Sequence, residues 1–312
     1  MESFDVRIIL LTALTLFMAS CDDDSDILKE KEMRLLKQYI EANNIEVEPQ
    51  SSGLYFISEG GGTGTHPEAS DWTTIRYTAK LINNRIFDST DEDIARTNGL
   101  FSSSVLYGDR RIELSTLGLA GVRDGLKLMK EGEKATLIIP SHLAYGRHGT
   151  NLIPPYSTLI YDIELVRVIK DPVIYEKQMI DEYLAQYTDS THLSVETKEF
   201  DIFEFYYIEL EAGSGEDYPD EAKSVDIYYT GRLTDGRIFD TKTSGTPFNF
   251  VLGEASTIVG FEEAVKLMKT GGKSRVLIPS SLAYGILGQS NIPGYTPLVF
   301  DLELLEIRDG PF

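Results

Sequence analysis

The chain has a single cysteine, Cys21, among its 312 residues, so no disulfide can close within it. Positive charge is scarce: 29 Lys and Arg face 50 Asp and Glu, a net charge of −21. That balance lacks the clustered cations that counterion release from nucleic acid requires, and it argues against electrostatic docking on anionic lipid. An acidic, soluble surface is enough to account for it. The four histidines, His66, His142, His148 and His192, show no metal-ligand spacing with the cysteine or with a carboxylate cluster; His142 and His148 read as exposed loop residues. Catalytic loop motifs are missing as well. Gly272-Lys273-Ser274 ends like a phosphate-binding loop, but Leu267 stands where that loop needs glycine. Gly61-Gly62-Thr63-Gly64 precedes no helix signal and reads as a turn. Gly288-Gln289-Ser290-Asn291 has Ile292 in place of the last glycine of a nucleophile elbow.

Long hydrophobic runs are absent too. Residues 8–19, apolar with threonines, fall short of the roughly 20 residues of a membrane-spanning helix and suit the core of a signal peptide. The junction Met18-Ala19-Ser20-Cys21, followed by Asp22-Asp23-Asp24, resembles a bacterial lipobox. That resemblance implies a signal peptide over 1–20, lipidation of Cys21, an acidic tether over 21–26, and an extracytoplasmic lipoprotein held to a membrane by acyl chains. Asp22 resembles an inner-membrane retention signal and the acidic run a surface-export signal; the outer membrane is the favoured location.

What is present is a repeat. Ile139-Pro140-Ser141-His142-Leu143-Ala144-Tyr145-Gly146 recurs as Ile278-Pro279-Ser280-Ser281-Leu282-Ala283-Tyr284-Gly285. Tyr77-Thr78 recurs as Tyr229-Thr230, and Arg85-Ile86-Phe87-Asp88 as Arg237-Ile238-Phe239-Asp240. The offset is 152 for Tyr77 and Tyr229 but 139 for Tyr145 and Tyr284, so the first copy carries 13 extra residues, within 89–121. Two copies fit a length that suits about two domains. The reading places domain 1 over 45–170 and domain 2 over 196–312. A helix precedes each, over 27–44 and within a linker over 171–195, the second opening at Pro172. These helices could serve as linkers, dimer-forming elements or partner-binding faces.

Within each copy, alternating residues mark half-buried strands: Val225, Ile227 and Tyr229; Leu298, Phe300, Leu302 and Leu304; Leu159, Tyr161, Ile163 and Leu165. Asp235-Gly236 and Asn83-Asn84 supply hairpin turns. Phe261, Val265 and Met268 describe one helix face ending at Gly271-Gly272, and Val122, Leu126 and Met129 repeat it. Hairpin-linked strands and one short helix per copy predict an α+β class, each domain an antiparallel sheet wrapped around a short helix.

The remaining candidates for chemistry are aromatic, and aromatics at such spacing are ordinarily core. Their order is more specific. Tyr-Thr-Gly-x-Leu-x-Asp-Gly-x-x-Phe-Asp (229–240), Pro-Phe-x-Phe-x-Leu-Gly (247–253), Ile-Val-Gly-Phe-Glu-Glu-Ala (258–264), Leu-Ala-Tyr-Gly (282–285) and Pro-Leu-Val-Phe-Asp-Leu-Glu-Leu-Leu (297–305) resemble the FKBP-type peptidyl-prolyl cis-trans isomerases over about 200–308. A looser version covers about 50–168. The resemblance implies a proline-receiving pocket with Tyr229, Phe239, Phe248 and Phe300 as walls and Phe261 as floor, where the family usually has Trp. It further implies the Ile258 N–H and the Tyr284 hydroxyl as donors, Asp240 orienting the edge and Ile292 closing one side. The implied partners are proline-containing segments and a macrolide ligand, with no cofactor or metal. In the first copy Tyr77, Phe87, Asp88, Leu119, Val122, Tyr145, Ile153 and Tyr161 align with pocket positions. Val122 removes the aromatic floor, and Arg111-Ile112-Glu113-Leu114 is the nearest counterpart of the Pro-Phe-x-Phe block. Weak or absent catalysis is expected there, with isomerase activity mainly in domain 2. The rival reading is a non-catalytic, chaperone-like binding protein on the same scaffold.

Overall fold

The computed structural model describes residues 6–188, 195–200 and 203–310, with side chains for 24–187 and 204–310. The leader and Cys21, expected as the lipidation site, have side chains outside the described residues. The chain divides into two compact units, Met1–Phe101 with Tyr107–Lys170 and Ser102–Leu106 with Asp171–Phe312.

The first unit opens with α1 (Val6–Ala42), which runs through the acidic stretch 21–26. It stops at Asn43-Asn44, where Asn44 takes φ 51°. The strands are β1 (Tyr55–Gly60), β2 (Trp72–Leu81), β3 (Ile86–Ser89), β4 (Arg110–Glu113), β5 (Lys134–Ile139) and β6 (Leu159–Ile169). They form an antiparallel sheet in the order β1-β5-β6-β2-β3, with β4 also on β2. The helices between them are α2 (Glu92–Thr97) and α3 (Ala120–Leu128). The extra residues of this copy thus build α2, capped by the Asp91 carboxylate on the Ile94 N–H at 2.9 Å, and the loop after it.

The second unit has α4 (Pro172–Thr188), β7 (Val195–Phe200), β8 (Phe203–Glu211), β9 (Lys223–Leu233), β10 (Ile238–Lys242), β11 (Phe248–Val251), α5 (Val259–Val265), β12 (Lys273–Ile278) and β13 (Leu298–Asp309). Its antiparallel sheet runs β10-β9-β13-β12-β8-β7, with β11 on β9. The expected α+β class holds for both units. Strand β8 lies on β12 as β1 lies on β5, and β7 beyond it is an edge strand with no counterpart among the described residues of the first unit.

Alternation explains which face each sheet buries. Val225 and Ile227 of β9 and Leu298, Phe300, Leu302 and Leu304 of β13 point into one core with Phe261, Val265 and Met268. Ile75, Tyr77, Ala79, Leu81, Leu159, Tyr161, Ile163 and Leu165 do the same around Val122, Leu126 and Met129. Helix α5 is shorter than its apolar stripe suggests. After Val265 the N–H groups of Leu267 and Met268 donate to Ala264 and Val265, a tighter winding that still leaves Met268 only 2% exposed.

A glycine sets how close each helix comes to its sheet. A Cβ on Gly260 would collide with the Ile278 side chain, and one on Gly121 with Ile139. Adding that methyl group must push the helix away or force the isoleucine off its rotamer. We expect Gly260→Ala to lower unfolding free energy by about 1–3 kcal/mol, read as an earlier urea transition of the second unit, and Gly121→Ala to do the same in the first.

Candidate active site

The site of the second unit lies where β9, β10, β11 and β13 face α5. Four rings meet Phe261: Tyr229 at 5.6 Å between centroids, Phe300 at 5.1 Å, Phe250 at 5.9 Å and Phe248 at 6.4 Å. Most are edge-to-face, the arrangement that sets the positive edge of one ring on the negative face of another, each worth about 0.5–1.5 kcal/mol beyond area burial. Phe239 extends the wall, 5.5 Å from Phe300. Gly231 makes room, since a Cβ there would strike both Phe239 and Phe300. Phe261 and Phe300 are buried, while Tyr229, Phe239, Phe248, Ile258 and Tyr284 are half-buried. The cluster is therefore a core whose upper layer is open to solvent.

Polar groups rim that layer. The Tyr229 hydroxyl donates to Asp240 Oδ2 at 2.6 Å. Burial, and then the bond to Asp240, push the Tyr229 hydroxyl well above the usual tyrosine range. Tyr284 is pushed up as well, by burial and then by the Asp240 charge, so both remain neutral donors at physiological pH. The Tyr284 hydroxyl and the Ile258 N–H each donate to no other group among the described residues. Ile258 sits just before α5 with φ −70° and ψ 146°, and its carbonyl already accepts from Phe261 and Glu262. Two donors thus flank an apolar, aromatic hollow, with Ile292 buried at its side.

In the first unit the aligned residues also come together, but the layer is closed. Tyr77, Phe87, Val122, Ile153 and Tyr161 are all buried, with Tyr77 and Tyr161 5.4 Å apart. Leu119 is half-buried before α3, and Tyr145 is the open member at 37% exposure. The Tyr77 hydroxyl donates to Asp88 Oδ2 at 2.7 Å and accepts from Arg110 Nη1 at 2.7 Å. Burial, with the Asp88 charge, holds Tyr77 far above the usual tyrosine range, and burial does the same to Tyr161. The register shows what replaced the phenylalanine wall. Arg110 pairs with Ile75 as Phe248 pairs with Ile227, so the counterpart of the Pro-Phe-x-Phe block begins at Asp109, two residues before the Arg111 that sequence suggested. A guanidinium stands where the second unit has a ring.

The chain belongs to the FKBP-type peptidyl-prolyl cis-trans isomerases. That family's profile matches residues 63–166 and 215–305. Human peptidyl-prolyl cis-trans isomerase FKBP9 is 26% identical over 245 residues, 78% of this chain and 36% of the human protein. Macrophage infectivity potentiator of Trypanosoma cruzi is 44% identical over 100 residues, 31% of this chain and 50% of that protein. The chain thus spans about a third of FKBP9. Among solved structures, FkpA from Escherichia coli is 33% identical, covers 45% of this chain and 62% of its own, and superposes with a TM-score of 0.38.

Each FKBP copy also holds residues that the sequence reading passed over. Glu262, only 8% exposed, accepts from the Gly253 N–H and ties the loop after β11 to α5; Arg123, at the same place in the first copy, donates to the Leu117 carbonyl at 3.2 Å. An open cleft of about 780 Å³ borders Arg76, Thr78, Asp91, Lys134 and Glu164 in the first copy. Its cations pair with carboxylates, Arg76 with Asp109 and Glu164 and Lys134 with Glu164, and Tyr77, Ile94, Tyr107 and Ile163 also line it.

The Tyr229–Asp240 bond makes a titration prediction. The folded-state value lies above the ordinary 10.0, so the bond's contribution to stability is complete below pH 10 and fades as pH rises through the higher folded value. The difference in tyrosinate absorbance between the wild-type chain and Tyr229→Phe should therefore emerge above pH 10; a difference centred at or below 10 would refute the buried, Asp240-bonded hydroxyl.

Proposed function

We propose that the chain catalyses cis–trans isomerisation of X–Pro bonds in exported polypeptides, with the second copy as the working site. The observation that carries this reading is the half-open aromatic hollow flanked by two donors that have no partner among the described residues, on a chain of the FKBP family. Rotation about the X–Pro bond must break amide resonance, against a barrier of about 18–20 kcal/mol for peptide bonds in general. The twisted amide is less polar than the planar one. Phe239, Phe248, Phe261 and Phe300 offer apolar surface to the proline ring and keep water from the amide, which favours the twisted form over the ground state. The Ile258 N–H fits a substrate carbonyl and holds the chain in register. The Tyr284 hydroxyl, kept protonated, can bond a carbonyl as it swings out of the plane. No group needs to exchange a proton or form a covalent bond, so no cofactor enters.

In this reading the first copy binds chain segments or spaces the second from the membrane, and Arg110 is the reason it does not turn over. Its guanidinium at Tyr77 puts a charge where an apolar wall is required, and moving a proline ring against it would cost desolvation. Acyl chains on Cys21 would concentrate the enzyme at an outer membrane where exported chains emerge, and a macrolide with a proline-like ring would compete at the second copy.

The full-length chain, assayed on short X-Pro peptides, should lose about tenfold or more in kcat/KM with Phe261→Ala or Tyr284→Phe, each tenfold being about 1.4 kcal/mol of transition-state stabilisation. Asp88→Ala and Tyr145→Phe in the first copy should leave it within about twofold. Full activity in both second-copy variants would sink the pocket assignment, and an inactive wild-type chain that still binds proline peptides would favour the binding-protein reading. In cells, Cys21→Ser should move the chain from the membrane pellet to the soluble fraction.

A further inference from the structure

The helix that precedes each copy reaches its sheet through one carboxylate. In the second unit Glu176 of α4, only 9% exposed, accepts from the Ser280 N–H at 2.5 Å through Oε1 and from Ser280 Oγ at 2.8 Å through Oε2. In the first unit Glu32 of α1 accepts from the Ser141 N–H and Ser141 Oγ, both at 2.6 Å, and from Thr158 Oγ1 at 2.9 Å. Ser141 and Ser280 are the serines of the repeated Pro-Ser-x-Leu-Ala-Tyr-Gly block. The pattern repeats on the helices too. Glu32, Leu36, Tyr39 and Ile40 recur 144 residues later as Glu176, Ile180, Tyr183 and Leu184. In the second unit Ile180 packs on Leu277 and Val299, the outward-facing residues of β12 and β13, with Tyr183 and Leu184 beside it. The apolar residues fix the helix on the sheet, and the carboxylate one turn before them lands on the serine.

Ser280 is the anchor of the loop that carries Tyr284. Its carbonyl accepts from Ala283 at 2.9 Å and from Gly285 at 2.8 Å, on either side of Tyr284. The Tyr284 carbonyl in turn accepts from Gly288 at 3.1 Å, and Gly285 from Tyr295 at 3.0 Å. Fixing the N–H and hydroxyl of Ser280 from the helix therefore fixes the start of a chain of bonds that ends at the tyrosine. We propose that Glu176 is a positioning residue of the isomerase site, so that α4 is a working part of that site and not a spacer. The inference rests on the isomerase reading of Tyr284. Helix displacement, by a partner or by tension on the chain before it, then loosens the Tyr284 loop and lowers turnover.

The test uses the full chain well below its unfolding temperature. Glu176→Ala removes both bonds; Glu176→Gln can keep both, its carbonyl accepting from the Ser280 N–H and its amide donating to Ser280 Oγ; Ser280→Ala removes one and leaves the helix untouched. We expect Glu176→Ala to cut kcat about tenfold with little change in KM and to speed amide exchange at Ser280 and Gly285 about tenfold or more. Glu176→Gln should restore both quantities, and Ser280→Ala should fall between. Unchanged kcat and unchanged exchange in a folded Glu176→Ala overturn the proposal; if that variant does not fold, wild-type values in Ser280→Ala overturn it. An inactive wild-type chain counts against the isomerase reading alone, and the exchange rates then decide whether Glu176 orders the loop.

Discussion

Phe261 stands where the short helix α5 is pressed against the sheet, and its ring is the contact that the rest of the site depends on. It is 3% exposed and meets Tyr229 and Phe300 nearly at right angles, 86° and 83° between planes. Tyr229 stays half-uncovered above a buried layer, with the Phe261 and Phe300 rings supporting it from beneath. Gly260, the residue before Phe261, lets the helix lie against Ile278, and Glu262, the residue after it, ties down the loop beyond β11. Three consecutive residues thus settle helix height, pocket floor and loop position. A smaller floor would let the walls sink inward, since a packed interior closes gaps as far as its backbone allows.

The first copy shows that outcome. With Val122 at the floor, Tyr77 and Tyr161 lie 5.4 Å apart, against 6.2 Å for Tyr229 and Phe300, and Tyr77 is buried where Tyr229 is half-buried. Arg110 then bonds the Tyr77 hydroxyl from the side left by a missing phenylalanine. The tyrosine–aspartate bond survives in both copies, at 2.7 and 2.6 Å, so that bond alone does not make a proline site. What separates the copies is whether apolar surface remains for a ring to land on. The lip of the loop differs in the same sense: Ile286 and Leu287 follow Tyr284-Gly285 and are exposed by 62% and 90%, where Arg147 and His148 follow Tyr145-Gly146.

Much of this was legible in the sequence because it is periodic or local. Strand alternation, turn residues and the helix stripes follow the two backbone periods directly, and the repeated blocks fixed the α+β class and two sheets. The ordered aromatics could be assigned to one pocket only through family resemblance, since Phe250 and Phe239 have the same local pattern and sit at different depths. The position of Arg110 was less legible. The 13 extra residues hide the pairing of β4 with β2, and register is a long-range property. Glu32 and Glu176 left only a faint signal. Each is an acidic residue on the apolar stripe of a helix, and its partner lies more than 100 residues away.

That placement has a physical consequence for the role of the helices. Burying a carboxylate costs several kcal/mol in desolvation, and an apolar residue of similar volume often stabilises a fold as well or better. Glu176 recovers part of that cost through a backbone N–H and a hydroxyl, charge-assisted bonds of short length. The net gain in stability from such a group is small, whereas its directional demand is large. Two acceptors at fixed separation define where Ser280 sits to within the tolerance of a hydrogen bond, which apolar packing cannot do. The same device meets the same serine in both copies, with Thr158 adding a third bond in the first where Pro297 offers no hydroxyl in the second. A carboxylate in that place is suited to holding a geometry, and the geometry it holds is that of the loop bearing Tyr284.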